Sequence, residues 1–297
     1  MREALVIDVS GRGHSMIDRN AAEVETGSLL SVVIPTFNGS RHIHSCLSSV
    51  LSQPIENLEI VVSDGGSTDD TVSIVRSFSD ERVRVIEAEQ RISIERNWTH
   101  ACELSRGTFV KLLCQDDVIA VGALAHQREL LIHNPRAVAA VGPREIIDDA
   151  GGVLMSRRGA RGLSGSQPGR VVLRKAMLAG GNILGEPSAV LFRSRPLMSC
   201  LPWSARFPYM LDLECYARIL QLGDVVSSDQ AVASFRVHRG SWSVELGDQQ
   251  VKDFCRWADW LIDNKLIDVR VGDRLRSRLA TRSSAFARQI VYRLRVK

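Results

Sequence analysis

The chain has 297 residues, of which 44% are hydrophobic and 24% are charged, a composition typical of a globular protein with one large α/β core or two small ones. No apolar run approaches the roughly 20 residues that a membrane-spanning helix needs. The net charge of +4 is uneven, because nine of the 38 basic residues but only one of the 34 acidic residues lie between Arg270 and Lys297.

The first half of the chain alternates apolar runs with helical stripes. Residues 1–28 have early carboxylates and no long apolar core, so they are predicted to be a leader and not a secretory signal, with an extra strand over 4–9 as an option. The pattern then predicts strands over 29–35, 58–62, 83–86 and 109–113 and helices over 41–52, 72–78 and 93–104. This alternation favours right-handed βαβ crossovers and a mostly parallel sheet.

The second half of the chain continues this alternation around one loop. A helix over 120–133 and a strand over 137–141 precede a stretch rich in Gly, Ser and Arg at 151–169. That stretch is predicted to be a mobile loop, either a lid, an acceptor loop or a plain surface loop. The pattern after it predicts helices over 171–178 and 211–222 and strands over 188–192 and 231–237.

Six cysteines are scattered through the chain without a C-x-x-C pair. Most lie in apolar or helical patterns, which predicts small core residues in a reducing compartment and neither a zinc site nor a disulfide framework. The cytoplasm is therefore the expected location. These cysteines are Cys46, Cys102, Cys114, Cys200, Cys215 and Cys255.

Polar residues follow three of the predicted strands. The blocks are Pro35-Thr36-Phe37-Asn38, Asp64-Gly65-Gly66-Ser67-Thr68-Asp69-Asp70-Thr71 and Gln115-Asp116-Asp117. Ligands of open α/β sheets bind at this edge, where an aromatic ring, a lone carboxylate and a carboxylate pair suit a nucleotide diphosphate held with Mg²⁺ or Mn²⁺. Each block also has a plainer interpretation. Phe37 could be a core aromatic, Asp64 a turn residue, and the Asp116-Asp117 pair the cap of the helix from Ala120.

These blocks, together with later segments, resemble the motifs of family 2 glycosyltransferases over residues 31–243. The later segments are Arg96-Asn97, Gly185-Glu186-Pro187-Ser188, Asp212-Leu213-Glu214-Cys215-Tyr216-Ala217-Arg218 and Phe235-Arg236-Val237-His238-Arg239-Gly240-Ser241-Trp242-Ser243. The resemblance implies the α/β GT-A fold, a Rossmann-like and mostly parallel central sheet flanked by helices. It implies a glycosyltransferase domain over 29–245, with a nucleotide-binding half (29–118) and an acceptor half (119–245), and a C-terminal helical extension over 246–297.

The same resemblance implies an inverting transfer of sugar from a nucleotide-diphosphate sugar to an acceptor hydroxyl. Asp212 would be the general base, although taken alone it could be a surface acid paired with Arg206 or Arg218. The nucleotide would be bound by Pro35, Thr36, Phe37, Asn38, Asp64, Arg96 and Asp116. The metal, Mg²⁺ or Mn²⁺, would be held by Asp117, Asp116 and His238. Cys114 replaces the first aspartate of the family's D-x-D, so the main metal ligand stays open between the two aspartates.

The resemblance also implies the partners. The donor would be UDP-, dTDP- or GDP-linked, and the acceptor a glycan or lipid-linked glycan of cell-surface polysaccharide or glycolipid synthesis. Two alternatives remain. One is a catalytically degenerate scaffold that binds nucleotide sugar, suggested by Cys114 and Leu211. The other is a nucleotidyltransferase, although the segment over 36–41 is too short to be the Gly-rich phosphate loop that such an enzyme would carry.

Apolar residues recur four and seven positions apart among the arginines of the C-terminal tail. They are Val271, Leu275, Leu279, Phe286, Ile290 and Leu294. This predicts a basic amphipathic helix, with a break near Ser283-Ser284 as an option. The helix would lie on an anionic membrane, making the protein peripheral at the inner face of the cell membrane, or pack on the body with a solvated cationic face. No aromatic-interleaved basic motif accompanies it, so nucleic acid is not an expected partner.

Overall fold

The computed structural model describes the backbone of residues 28–238 and 247–295, and the side chains of 28–238 and 249–286. The predicted leader and its optional strand over 4–9, the domain boundary at 245/246 and positions 239–243 of the closing motif lie outside the described residues. In chain order, the elements are β1 (Leu30–Thr36), α1 (Ile43–Leu51), β2 (Leu58–Asp64), α2 (Thr71–Ser77), β3 (Val83–Glu87), α3 (Ile94–Glu103), β4 (Phe109–Leu112), β5 (Val118–Ile119), α4 (Ala123–His133), β6 (Ala137–Val141), β7 (Arg144–Ile147), β8 (Val153–Arg158), β9 (Gly165–Pro168), α5 (Gly169–Ala179), β10 (Val190–Arg193), α6 (Ser194–Ser199), α7 (Leu211–Ile219), β11 (Asp224–Ser227), β12 (Ala233–Arg236), α8 (Gly247–Asp263) and α9 (Asp273–Arg295).

The mostly parallel central sheet is confirmed. Its eight strands have the order β3-β2-β1-β4-β10-β6-β11-β9, and only β10 and β9 run antiparallel to their neighbours. Every residue of β1 is buried because hydrophobic clusters cover both faces of the sheet at this strand, which explains its mostly apolar sequence. The chain reverses its direction of travel through the sheet between β1 and β4, and the crevice at such a switch point is where ligands bind.

A second sheet, not predicted from the sequence, packs in the order β5-β12-β7-β8. The prediction of a loop over 151–169 is wrong, because this stretch contains β8 in the second sheet and β9 at the edge of the central sheet. Both strands are mostly exposed, and neither alternates apolar and polar residues, because the three apolar residues of β8 are consecutive and β9 has only a proline. Pairing with a neighbour and not apolar patterning therefore makes them strands.

Residues 118–122 also differ from the prediction. Val118 and Ile119 pair with β12, and the next helix begins at Ala123 after Gly122. The interpretation of Asp116-Asp117 as the cap of this helix is therefore wrong, since two strand residues and a turn separate the acidic pair from the helix.

Two hydrophobic clusters cover the central sheet. Val33 and Val61 belong to one, while Val32 and Val62 belong to the other, as the alternation of side chains along a strand requires. Trp257 of α8 is fully buried in the first cluster, so the C-terminal helices share the core of the sheet. Four of the six cysteines are buried, as their apolar and helical patterns predicted, and all six are free.

The final helix, α9, is continuous from Asp273 to Arg295, so the optional break at Ser283-Ser284 does not occur. It packs on the body through small and polar residues, and Asp273 accepts two hydrogen bonds from Arg174. The buried positions are Asp273, Ser277, Thr281 and Ala285. Leu275, Leu279 and Phe286 of this helix, and Val271 just before it, remain exposed. No helix in the described part of the chain is long and apolar enough to cross a membrane.

Candidate active site

A large cleft opens at the carboxyl ends of β1 and β4. Its volume is about 2130 Å³, well above the roughly 300–1,000 Å³ of a site for one small ligand, so it has room for two substrates. Of the predicted site residues, the cleft is lined by Pro35, Thr36, Phe37, Asn38, Asp116, Asp212 and His238. Asp64, Arg96 and Asp117 do not line it.

The end of β1 is joined to the end of β4 by Gln115. The Phe37 N–H donates to Gln115 Oε1 (2.9 Å), and Gln115 Nε2 donates back to the Phe37 carbonyl (3.1 Å). Asn38 adopts a left-handed φ of 48°, and a Cβ at Gly39 would collide with the Gln115 side chain. The turn after β1 therefore needs a residue that tolerates a left-handed backbone at position 38 and a residue without a side chain at position 39.

Phe37 presents its ring to the cleft. The guanidinium of Arg91 lies 4.6 Å from the ring centre, in a cation–π contact. The expectation for Arg96 needs correction, because Arg96 is exposed outside the cleft whereas Arg91, in the loop before α3, lines it. Arg91 precedes α3 and Arg96 lies within it, and this difference in position is the only sequence signal that could have distinguished the two arginines.

Asp64 lies beneath this end of the cleft and not in it. Its side chain is buried, and it accepts hydrogen bonds from the Thr36 hydroxyl (3.0 Å) and from the N–H groups of Gly66 (3.1 Å) and Ser67 (2.8 Å). The turn interpretation therefore describes its observed contacts. Asp64 shapes the floor of the cleft by fixing Thr36.

The two adjacent aspartates point in different directions. Asp116 lines the cleft, whereas Asp117 is fully buried and accepts hydrogen bonds from the Ser188 hydroxyl (2.7 Å) and the Arg236 N–H (3.0 Å). Burial, and then the charge of Asp116, raises the pKa of Asp117 well above its usual value. The structure thus corrects the expectation for Asp117, and Asp116 is the member of the pair that can meet a ligand.

Two histidines and a second aspartate gather beside Asp116. Ligand atoms of His42, Asp149 and His238 all lie within 4.8 Å of one another, and His238 Nε2 is 3.3 Å from Asp116 Oδ2. Burial lowers the pKa of His42, which favours the neutral imidazole that binds metals. Sequence reasoning missed His42 and Asp149, because they are far apart in the chain and belong to no motif.

This group of residues fits a divalent cation. His42 Nε2 and Asp149 Oδ1 are buried without a hydrogen-bond partner, although they lie only 3.1 Å apart. Arg236 holds the surrounding backbone, because its guanidinium donates to the carbonyls of Asp116 (2.8 Å), Asp148 (3.1 Å) and Asp149 (3.0 Å). Carboxylate and imidazole groups at such separations are a metal-ligand set.

Asp212 lies at the start of α7, on another wall of the cleft. It is half-buried, and it accepts hydrogen bonds from Asn182 Nδ2 (2.6 Å) and the Leu213 N–H (2.8 Å). Burial is the main cause that raises its pKa to about 7. The alternative of an ion pair with Arg206 or Arg218 is wrong, because Arg218 pairs with Glu214 and Arg206 lies over the Trp260 ring. A carboxylate with this pKa, facing a cleft, can accept a proton near neutral pH.

The cleft walls are strongly basic. Eight arginines and lysines line it against three acids, Asp116, Glu186 and Asp212. The basic residues are Arg41, Arg91, Arg144, Arg157, Arg158, Arg161, Lys175 and Arg276. Within the described residues, Arg158 and Arg161 have no side-chain partner, whereas Arg144 is paired with Glu186. This charge favours anionic ligands such as phosphates.

Comparison with known proteins agrees with these features. A family model described as "Glycosyl transferase family 2" matches residues 31–195, more than half of the chain. An uncharacterized protein of Mycobacterium tuberculosis is 26% identical over 268 residues, which cover 87% of this chain and 82% of that protein.

A relative with a described activity is the Escherichia coli "UDP-Glc:alpha-D-GlcNAc-diphosphoundecaprenol beta-1,3-glucosyltransferase WfgD". It is 30% identical over 106 residues, which cover 36% of this chain and 42% of that enzyme. The match therefore spans less than half of that enzyme's length.

Two solved structures share the fold. One is S. aureus TarS 1–349 in complex with UDP-GlcNAc, with a TM-score of 0.62 and 18% identity over 91% of this chain and 76% of that one. The other is the mannosyltransferase PcManGT from Pyrobaculum calidifontis in complex with GDP-Man and Mn²⁺, with a TM-score of 0.61 and 15% identity over 95% and 82%. At these identities the likeness concerns the fold.

Proposed function

The chain belongs to glycosyltransferase family 2, and from this premise we propose that it inverts the anomeric configuration as it transfers a sugar from a nucleotide-diphosphate sugar to an acceptor hydroxyl. It is a glycosyltransferase with the GT-A fold. The observation that carries the finer proposal is a single cleft with Phe37 and Asp116 on one wall and Asp212, a carboxylate of raised pKa, on another. Family membership counts against the nucleotidyltransferase alternative. The two hydrogen bonds that orient the Asp212 carboxylate in the cleft count against a degenerate scaffold.

Asp212 has the properties of a general base. Its carboxylate would take the proton of the acceptor hydroxyl, whose oxygen then attacks the anomeric carbon from the side opposite the nucleotide diphosphate. Asn182 and the Leu213 N–H hold the carboxylate in one orientation, which keeps it aimed at the acceptor. A divalent cation, Mg²⁺ or Mn²⁺, held by Asp116 and His238 would offset the charge that develops on the departing diphosphate.

The donor end would bind the nucleoside through Phe37, with Thr36 and Asn38 fixing the backbone around it. Arg91 would close over the ring and contribute positive charge near the phosphates. UDP-, dTDP- and GDP-linked sugars all remain candidates, because stacking on an aromatic ring accepts any base. The complexes of UDP-GlcNAc and GDP-Man with proteins of this fold support this donor class.

A thermal-shift panel tests the donor proposal. UDP, dTDP, GDP and their sugars, each with and without Mn²⁺, are added at about 100 times their Kd. Binding to the folded state alone contributes about 2.7 kcal/mol at that ratio, so we expect the best ligand to raise Tm by roughly 5 °C. Phe37→Ala should abolish that shift, whereas the matched control Phe78→Ala, which alters a ring outside the cleft, should lower Tm but keep the shift. If no nucleotide raises Tm, the donor proposal is wrong.

The acceptor is proposed to be a lipid-linked glycan or another glycan that carries phosphate. The basic wall of Arg158, Arg161 and Arg276 supports this class, because it lines the cleft and none of the three pairs with an acid among the residues that the structure describes. The Escherichia coli relative acts on a diphosphoundecaprenol-linked sugar, which is consistent with such an acceptor. The proposed setting is therefore cell-surface polysaccharide or glycolipid synthesis.

A lipid-linked acceptor would place the enzyme at the cytoplasmic face of a membrane. α9 supports this location, because it packs on the body through its polar face and leaves Leu275, Leu279 and Phe286 between 57% and 67% exposed. The exposed part of the helix also carries Arg274, Arg278 and Arg282. Arg276 and Ser283 of the same helix line the cleft, so membrane contact here would bring the cleft close to the lipid surface.

Substituting the exposed residues of α9 tests this contact. The triple variant Leu275→Ser, Leu279→Ser, Phe286→Ser should bind anionic vesicles at least about 100-fold more weakly in a sedimentation assay, since each side chain contributes roughly 1 kcal/mol or more of apolar burial. A control triple variant changes Val121, Val171 and Leu222 to Ser, which are exposed apolar residues on other elements. Equal vesicle binding by the two triple variants would exclude α9 as the contact surface.

A further inference from the structure

The clearest unexplained feature of the cleft is the pair His42 and Asp149. His42 is 8% exposed and sits immediately before α1, whereas Asp149 follows β7, and the two meet only in the fold. Their nearest atoms, His42 Nε2 and Asp149 Oδ1, are buried and 3.1 Å apart, an ion-pair contact that lacks hydrogen-bond geometry. Neither atom has a hydrogen-bond partner among the described residues, and a buried polar atom in this state is costly unless a further group completes its contacts.

The pair lies against the residues already proposed to face the diphosphate. The rings of His42 and His238 have their centres 5.2 Å apart, and His238 Nε2 is 3.3 Å from Asp116 Oδ2. One ligand atom from each of His42, Asp149 and His238 falls within 4.8 Å of the others. Metal–ligand bonds of roughly 2.1 Å place ligand atoms about 3 to 4 Å apart, so small side-chain movements would suffice to surround a cation.

We propose that His42 and Asp149 join His238 and Asp116 in a four-residue cation site that prefers a first-row transition ion, Mn²⁺ in particular, over Mg²⁺. The proposal rests on the proposed function only for the location of the site beside the donor diphosphate. Two imidazoles and two carboxylates form a mixed nitrogen and oxygen set. Imidazole nitrogen favours transition ions, while Mg²⁺ prefers an all-oxygen octahedron with several waters.

The carboxylates of Asp116 and Asp149 oppose the positive charges of Arg41 and Arg236 beside the cluster. Arg41 pairs with the other carboxylate oxygen of Asp149, Oδ2, and leaves Oδ1 facing His42. The Arg236 guanidinium is committed to backbone carbonyls and occupies none of the four ligand groups. Because the protein supplies four donors, the site should bind its cation before any nucleotide arrives.

Mn²⁺ binding without nucleotide tests the proposal directly. Free Mn²⁺ gives a six-line electron paramagnetic resonance signal that weakens on binding, so titration of the metal-stripped full chain measures affinity with no catalytic readout. The unmodified protein should bind one Mn²⁺, and Mg²⁺ should displace it only at roughly tenfold or greater excess. His42→Ala and Asp149→Asn should each raise the Kd for Mn²⁺ roughly tenfold or more.

His44→Ala is the matched control, because His44 is on the same stretch of chain but packs against Phe78, away from the cluster. It should bind Mn²⁺ like the unmodified protein. If His42→Ala does not fold, as judged by thermal unfolding in chelator, Asp149→Asn at a more exposed position decides the question. Absence of nucleotide-free Mn²⁺ binding, unchanged affinity in the variants, or equal competition by Mg²⁺ would each overturn the inference. The nucleotide panel reports on donor binding separately, so either proposal can fail alone.

Discussion

The Asp212→Asn variant is expected to lose roughly 10²- to 10⁴-fold in kcat while binding the nucleotide sugar as tightly as the unmodified protein. Asparagine keeps the size of the side chain and its contact with the Leu213 N–H, but it cannot accept the acceptor proton. Initial rates at saturating donor and acceptor measure the loss, and the donor-induced Tm shift measures donor binding. The matched control is Asp224→Asn, at an aspartate that pairs with Arg136 outside the cleft.

The pH dependence of the same reaction is the second part of this test. Burial raises the pKa of Asp212 to about 7, and a general base acts only when it is deprotonated. The rate should therefore rise with pH through about 7 and then level off, because the protonated fraction falls as pH increases. A flat profile between about pH 5.5 and 8, or near-normal turnover by Asp212→Asn, would rule out Asp212 as the base.

The strands and helices of residues 29–113 were predicted well because their signals are local. The apolar run before Pro35 is long enough to predict a buried strand. Because Thr36 and Phe37 follow it at once, the same run predicts the edge of the sheet at which these residues lie. The order of such units then implies a parallel sheet. The same reasoning located Asp212, although only the resemblance to family 2 glycosyltransferases gave it a role.

The parts that could not be predicted depend on contacts between distant segments. Whether Asp116 or Asp117 faces the cleft is decided by Ser188 and Arg236, which are 71 and 119 residues from Asp117. His42 and Asp149 are 107 residues apart in the chain and meet only in the fold. The second sheet was missed for the same reason, since β8 and β9 are exposed strands held by pairing with neighbours and not by an apolar pattern.

Trp257→Ala is expected to reduce the free energy of unfolding by about 3–5 kcal/mol, a large part of the roughly 5–15 kcal/mol of a typical domain. Trp257 is fully buried between α8 and the core, and its indole N–H donates to the Leu213 carbonyl (3.1 Å). Removing the ring leaves a cavity and breaks this hydrogen bond to the residue that follows Asp212. Equilibrium urea denaturation measures the stability change.

Trp257→Phe separates packing from hydrogen bonding at this position. It keeps most of the ring volume and loses only the indole donor, so it should cost roughly 0.5–1.5 kcal/mol for the lost hydrogen bond. Trp260→Ala is the control on the same helix, because Trp260 is half-buried against Phe207, and it should cost less than about 2 kcal/mol.

Both Trp257 variants should also lower kcat at temperatures at which they are still folded. The reason is that the Trp257 indole donates its hydrogen bond to Leu213, the residue that follows the proposed base. Unfolding of Trp257→Ala at the same urea concentration as the unmodified protein would show instead that α8 is an appendage and not part of the catalytic core.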